Sequence, residues 1–190
     1  MGLTTERPRW AALISLLLIL SACGGAEEGP FTRDFQAPGP ADLEVPTLAW
    51  SDYQALVDRT SSAGQVLVVN FWATWCGPCV EEFPELMQLQ RDYWGRGVRV
   101  ATISMDELDV LEEEVKPFLF EQRAVGARYF MGTDWPQDFQ SRLSESWWGG
   151  IPQTFVYDPG GRLTASLTGR QTYEQFQEAV ESALGTVTTR

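Results

Sequence analysis

The strongest constraint in this chain is the run from Val66 to Trp72, apolar at every position but Asn70, which ends just ahead of Cys76-Gly77-Pro78-Cys79. A strand without polar alternation is buried on both faces of its sheet, so helices must cover that sheet from both sides. Past the cysteines, Phe83, Leu86, Met87 and Tyr93 recur at helical spacing to about Trp94, and Pro84 predicts a kink within that helix. Two thiols therefore stand where a central strand gives way to a helix.

The remaining pattern fills in around that unit. Ser51-Asp52-Tyr53-Gln54 has the form of a capping box, and Tyr53, Leu56 and Val57 make an apolar stripe, predicting a first helix to about Ser61 closed by Gly64. Val98 to Ser104 reads as a second buried strand. Leu111, Val115, Phe118 and Leu119 predict a helix to Arg123, with Pro117 unsettling its start. Ala127 to Met131 reads as a short strand, and Trp135, Phe139 and Leu143 predict a helix from Asp134 to Ser146. Thr154 to Tyr157 and Leu163 to Leu167 flank the hairpin turn Asp158-Pro159-Gly160-Gly161, and Thr172-Tyr173-Glu174-Gln175 caps a last helix to Leu184. The order is βαβ, an αβα excursion, then ββα. That is an α/β chain with a central mixed sheet and helices on both faces, and 190 residues suit one such domain.

Charge and composition remove whole classes of function. The formal net charge is −12 and no basic patch interrupts it, so nucleic acid is not an expected partner. Glu112, Glu113 and Glu114 read as a solvated surface. The chain contains no histidine, which removes imidazole metal sites, Cys/His proteases and Ser/His relays. No metal and no bound cofactor are expected. The chemistry falls to three cysteines and the carboxylates.

Arg7 and Arg9 precede an apolar run from Trp10 to Leu20 that is too short to span a bilayer but suits the core of a signal peptide over residues 1–22. Leu20-Ser21-Ala22-Cys23 resembles the bacterial lipobox, and that resemblance implies a lipid on Cys23. Residues 23–45, rich in Gly, Pro and Glu, then read as the lipidated cysteine and a flexible tether, and 46–187 as the folded domain. The expected place is outside the cytoplasm, on a membrane.

At a helix N-terminus unpaired N–H groups and the macrodipole favour a thiolate, so Cys76 is the expected nucleophile. Cys79, one turn further in, is expected to resolve a mixed disulfide formed on Cys76. Pro78 sits acceptably in a first helical turn, and Gly77 lets a partner backbone approach. Trp75 is expected at the surface beside Cys76 and Trp72 in the core. Trp147 and Trp148 stay open between packing and substrate contact.

The stretch Phe71-Trp72-Ala73-Thr74-Trp75-Cys76-Gly77-Pro78-Cys79 resembles the thioredoxin superfamily, and with the leader and the excursion the chain is similar to its TlpA/ResA branch of exported disulfide reductases. The resemblance spans about Leu48 to Leu184 and implies a thioredoxin-like fold. It implies that Pro152 is a cis-proline facing the redox pair, with Ile151 offering backbone groups to a substrate strand. Thioredoxin has a buried aspartate where this chain has Asn70. The TlpA/ResA branch has instead a glutamate three residues past the second cysteine, matched by Glu82, which helical spacing puts on the face of Cys79. The implied activity is reduction of disulfides in secreted or membrane-exposed thiol proteins, apocytochrome c among them, fed by a membrane electron donor. The alternatives are a disulfide oxidase or isomerase using the same pair, and a non-catalytic assembly lipoprotein. A thiol peroxidase fits less well, because no Pro/Thr-rich turn precedes Cys76.

Overall fold

The computed structural model describes residues 43–185. The expected signal peptide, Cys23 and most of the expected tether lie outside them. Strands β1 (Thr47–Leu48), β2 (Val66–Trp72), β3 (Val98–Ser104), β4 (Ala127–Met131), β5 (Gln153–Tyr157) and β6 (Leu163–Thr168) alternate with helices α1 (Trp50–Ser62), α2 (Gly77–Tyr93), α3 (Lys116–Glu121), α4 (Phe139–Leu143) and α5 (Tyr173–Gly185), except that β6 follows β5 directly. The strands form one sheet in the order β1-β4-β3-β2-β5-β6. β2 lies in its middle, parallel to β3 and antiparallel to β5, so the sheet is mixed.

The packing explains why β2 lacks alternation. Val66, Val68 and Trp72 join one apolar cluster with Phe83 and Leu86 of α2, Leu119 of α3, and Phe176 and Val180 of α5. Leu67, Val69 and Phe71 join a second cluster with Tyr53 and Leu56 of α1 and Phe139 of α4. Successive residues of a strand point to opposite faces, and here both faces are covered. Each such side chain contributes about 1.5–3 kcal/mol by leaving water. The second cluster is rich in rings: Phe71 lies 4.8 Å from Trp147 and 5.9 Å from Trp135 between centroids.

Several elements differ from the sequence reading. α1 begins at Trp50 with Ala49 as its N-cap and no side-chain cap. Ser51 is already inside the first turn, and Asp134 Oδ2 accepts the Trp50 N–H at 3.0 Å instead. That commitment of Asp134, with Pro136 lacking an N–H and the Trp135 indole donating to Leu48 O at 2.8 Å, leaves only Phe139–Leu143 of the helix expected from Asp134 to Ser146. The helix expected from Leu111 to Arg123 divides into a π turn at Leu111–Val115 and α3, and a 3₁₀ turn at Leu108–Val110 precedes it. Pro117 has no N–H to return to the preceding turn, and Arg123 ends the segment in the left-handed region at φ +49°. α2 continues through Pro84 to Tyr93. The Thr172 capping box does form: Thr172 N donates to Gln175 Oε1 at 2.8 Å and Gln175 N to Thr172 Oγ1 at 3.4 Å.

The expected tether also runs too far. Leu43 and Val45 are buried in the same cluster as Cys76 and Cys79. They lead into β1, too short to leave a sequence signal, which pairs with Phe130 and Met131 of β4.

Candidate active site

Cys76 and Cys79 are joined as a disulfide at the start of α2. Cys76 is the N-cap, and its sulfur receives the backbone N–H of Cys79 at 3.3 Å. A cap that accepts an N–H also stabilises negative charge on the capping atom, so this placement favours thiolate on Cys76 once the pair is reduced. Cys76 is 6 % exposed and Cys79 1 %, which makes Cys76 the outer sulfur. Pro78 occupies the first turn, where its missing N–H costs nothing. A Cβ on Gly77 would meet no atom within 4 Å.

Two loops meet at that sulfur. The Ile151–Pro152 peptide is cis, and the Ile151 carbonyl oxygen lies 3.6 Å from Cys76 Sγ. In the disulfide this is a contact; in the reduced protein a Cys76 S–H has an acceptor there. The loop is held from behind, because Pro152 O accepts the Gly169 N–H at 2.9 Å and Gly150 O accepts the Trp147 indole N–H at 2.8 Å. On the other side the Thr74 turn is clamped to the end of β3. Asp106, 6 % exposed, accepts Thr74 N at 3.0 and 3.1 Å, Thr74 Oγ1 at 2.6 Å and Ser104 Oγ at 2.7 Å.

Beneath the pair lies a buried polar network. Glu82 is 1 % exposed and shares the buried face of α2 with Cys79. Its Oε1 accepts Asn70 Nδ2 at 2.9 Å, and its Oε2 accepts the backbone N–H of Gln171 at 2.8 Å. Burial pushes the Glu82 carboxyl up to about 7, against the opposing pull of the Gln171 N–H, the Asn70 amide and the charge of Arg170. Glu81, one position earlier, is exposed and pairs with Arg170 at 2.6 Å.

The structure thus brings Cys76, Cys79, Trp75, Gly77, Pro78, Ile151 and Pro152 to one end of the sheet, with Glu82 inside it. Trp72 is core, and Trp75 is 70 % exposed. The sequence reading missed Asp106, Thr154 and Gln171. Asp106 lies just past the end of β3 with no motif to single it out, and Gln171 acts through a main-chain group that no side-chain pattern reveals.

A disulfide presented this way, on this sheet, makes the chain a thiol-disulfide oxidoreductase of thioredoxin-like fold. The chain belongs to the AhpC/TSA family, whose model matches residues 34–166. It is similar to the thiol-disulfide oxidoreductase ResA of Geobacillus thermodenitrificans, 28% identical over 173 residues that cover 89% of this chain and 92% of the relative. It is also similar to the thiol:disulfide interchange protein HelX of Rhodobacter capsulatus, 29% identical over 64% of this chain and 62% of HelX. Among solved structures, a thiol:disulfide interchange protein of the thioredoxin family from Chlorobium tepidum TLS superposes with a TM-score of 0.55, at 29% identity, over 66% of this chain and 85% of its own.

Proposed function

We propose that this chain is an exported, lipid-anchored reductase of disulfides in secreted or membrane-exposed thiol proteins, apocytochrome c among them, held to its membrane through Cys23. The observation that carries the reading is the outer sulfur of Cys76 at the N-terminus of α2, receiving the Cys79 N–H and facing the Ile151 carbonyl. The ResA and HelX likeness supports thiol proteins as substrates. The lipobox-like run ending in Cys23 supports the anchor.

In the reduced enzyme Cys76 thiolate attacks a substrate disulfide. Its S–S bond breaks, one substrate thiolate leaves, and the other sulfur stays bound to Cys76. Cys79 gives its proton to Glu82 and attacks Cys76 Sγ, releasing the second substrate thiolate and closing the Cys76–Cys79 disulfide. Two electrons pass to the substrate, and a membrane electron donor returns two electrons to the pair. A carboxyl held near neutrality is suited to take and release that proton. Pro152 and Ile151 shape the place where the substrate backbone lies, with Trp75, Gly77 and Pro78 on the other side.

Trapping tests the reading in cells. A Cys79→Ser variant retains substrates as mixed disulfides on Cys76, and exported proteins with cysteine pairs are the expected catch. The oxidase reading takes over if the Cys76/Cys79 couple has a reduction potential well above about −200 mV, toward the disulfide-introducing end of the scale.

A further inference from the structure

Two consecutive tryptophans lead into the cis-proline loop, and the fold treats them oppositely. Trp147 is 3 % exposed, its ring packed 4.8 Å from Phe71, 5.4 Å from Phe139 and 5.4 Å from Phe155, and its indole N–H ties down Gly150 O. Trp148 is 94 % exposed. Leaving an indole in water forgoes about 2 kcal/mol or more that burial would supply, so the domain itself gains nothing from its side chain.

We propose that Trp148 is a docking residue for a polypeptide substrate, receiving a large apolar side chain within about three residues of the substrate cysteine. This rests on the reductase reading and names the kind of segment it acts on. Three trans peptides of about 3.8 Å each keep the Trp148 Cα within about 11 Å of the Ile151 Cα. Ile151 O in turn touches Cys76 Sγ. An extended chain advances about 3.3 Å per residue, so a substrate strand that runs from Cys76 past Ile151 toward Trp148 comes level with it within about three to four residues of its cysteine.

A Cβ on Gly149 would meet the Gln140 side chain at 3.5 Å, but the ground beyond it is open. A Cβ on Gly150 would meet nothing within 4 Å, and Gly150 does not adopt a left-handed backbone, so its own chain leaves that surface clear for another. Gly77 is equally open across the site, beside the exposed Trp75. Because Trp147 already fixes the loop in the aromatic cluster, little ordering remains to oppose binding at Trp148. In folded partners large apolar side chains are mostly inside. The occupant is therefore an unfolded, extended segment.

The test uses two disulfide-linked peptides that differ only three residues from the cysteine, one with Leu and one with Ser. Wild type is expected to prefer the Leu peptide in kcat/KM, and Trp148→Ala to reduce that preference about five- to tenfold, while Trp148→Phe retains most of it. Calorimetric binding of the same peptides with Ser in place of Cys is expected to follow the same order without any turnover. If wild type binds them in that order yet reduces neither disulfide, the reductase reading fails and the docking role stands. An equal Leu-over-Ser preference in wild type and Trp148→Ala overturns the docking role. So does a variant that keeps the preference but sediments less with phosphatidylglycerol/phosphatidylethanolamine vesicles, which assigns Trp148 to a membrane surface.

Discussion

Asn70 Nδ2 donates to Glu82 Oε1 at 2.9 Å and also to Thr154 Oγ1 at 2.9 Å, so one side-chain amide on β2 joins the α2 carboxylate to the facing residue of β5. The amide orders Glu82 without neutralising it. Together with the Gln171 N–H it occupies both carboxylate oxygens; both bonds favour the charged form, and burial outweighs them, raising the carboxyl to about 7.

That arrangement makes stability depend on pH with a definite sign. Glu82 titrates at about 7 in the folded disulfide form, above the usual value of about 4.3 for an unfolded glutamate. Across that window the folded state holds a proton that the unfolded state has lost, so stability is fully present below about pH 4.3 and falls until about pH 7. Glu82→Gln has no such titration. The unfolding free energy of wild type relative to Glu82→Gln is expected to fall by about 3 kcal/mol between about pH 4 and pH 8, measured by urea denaturation of the oxidised proteins. A difference that stays flat across that range would return Glu82 to an ordinary carboxyl.

The same variant tests the proton route. If Glu82 accepts the Cys79 proton, Glu82→Gln cuts turnover of protein disulfides by roughly ten- to a hundredfold, the lower part of the general acid/base range. Loss of its negative charge also lowers the thiol titration of the reduced pair. Wild-type turnover together with a wild-type thiol titration curve would mean that the proton leaves through water alone.

The two cysteines are expected to differ in reactivity. Iodoacetamide should label Cys76 first in the reduced, folded protein, because Cys76 is the outer sulfur and receives the Cys79 N–H. Mass mapping of the alkylated peptide reads the order directly. Preferential modification of Cys79 would reverse the assignment.

Asp106 holds the Thr74 turn from the end of β3 with both carboxylate oxygens. Asp106→Ala leaves the buried Ser104 hydroxyl and the Thr74 N–H without that acceptor, at a cost of about 1–3 kcal/mol. A lower urea midpoint with an unchanged slope is the expected signature. Asp106→Asn, which keeps an acceptor oxygen, should recover part of the loss.

Where the folded unit begins can be tested by truncation. A soluble chain starting at residue 41 keeps Leu43 and Val45 in the core, whereas one starting at residue 47 loses both. The shorter chain is expected to be less stable by about 3–6 kcal/mol, since two buried aliphatic side chains are removed at about 1.5–3 kcal/mol each. Equal melting temperatures would place the two residues outside the folding unit.

The sequence disclosed most of this architecture wherever burial imposed a period. β2 declared itself because both its faces are covered, and α2 because its apolar residues recur along one side. α4 misled because Trp135 and Phe139 are buried at helical spacing while Pro136 and the Asp134–Trp50 bond break the helix between them. The cysteines were legible as a local motif, and the cis-proline through the family resemblance that surrounds them. The network around Glu82 was legible only in part: spacing placed Glu82 on the Cys79 face, but Thr154 and the Gln171 N–H arrive from segments more than seventy residues away. Trp147 and Trp148 could not be told apart, since adjacent residues of one type differ only in which way the loop turns them.

Cys76 is both the reactive sulfur and the cap of α2, so the redox cycle is also a cycle of helix-end strength. A thiolate is the best acceptor for the Cys79 N–H, and a sulfur bound to substrate is a poorer one. The first turn of α2 should therefore be tightest when the enzyme is charged with electrons and loosest while it holds its substrate. Deuterium uptake at the Cys79 amide then serves as a clock for the catalytic state, slow in the dithiol and faster in the trapped mixed disulfide. The protein carries its own reporter in a single backbone hydrogen.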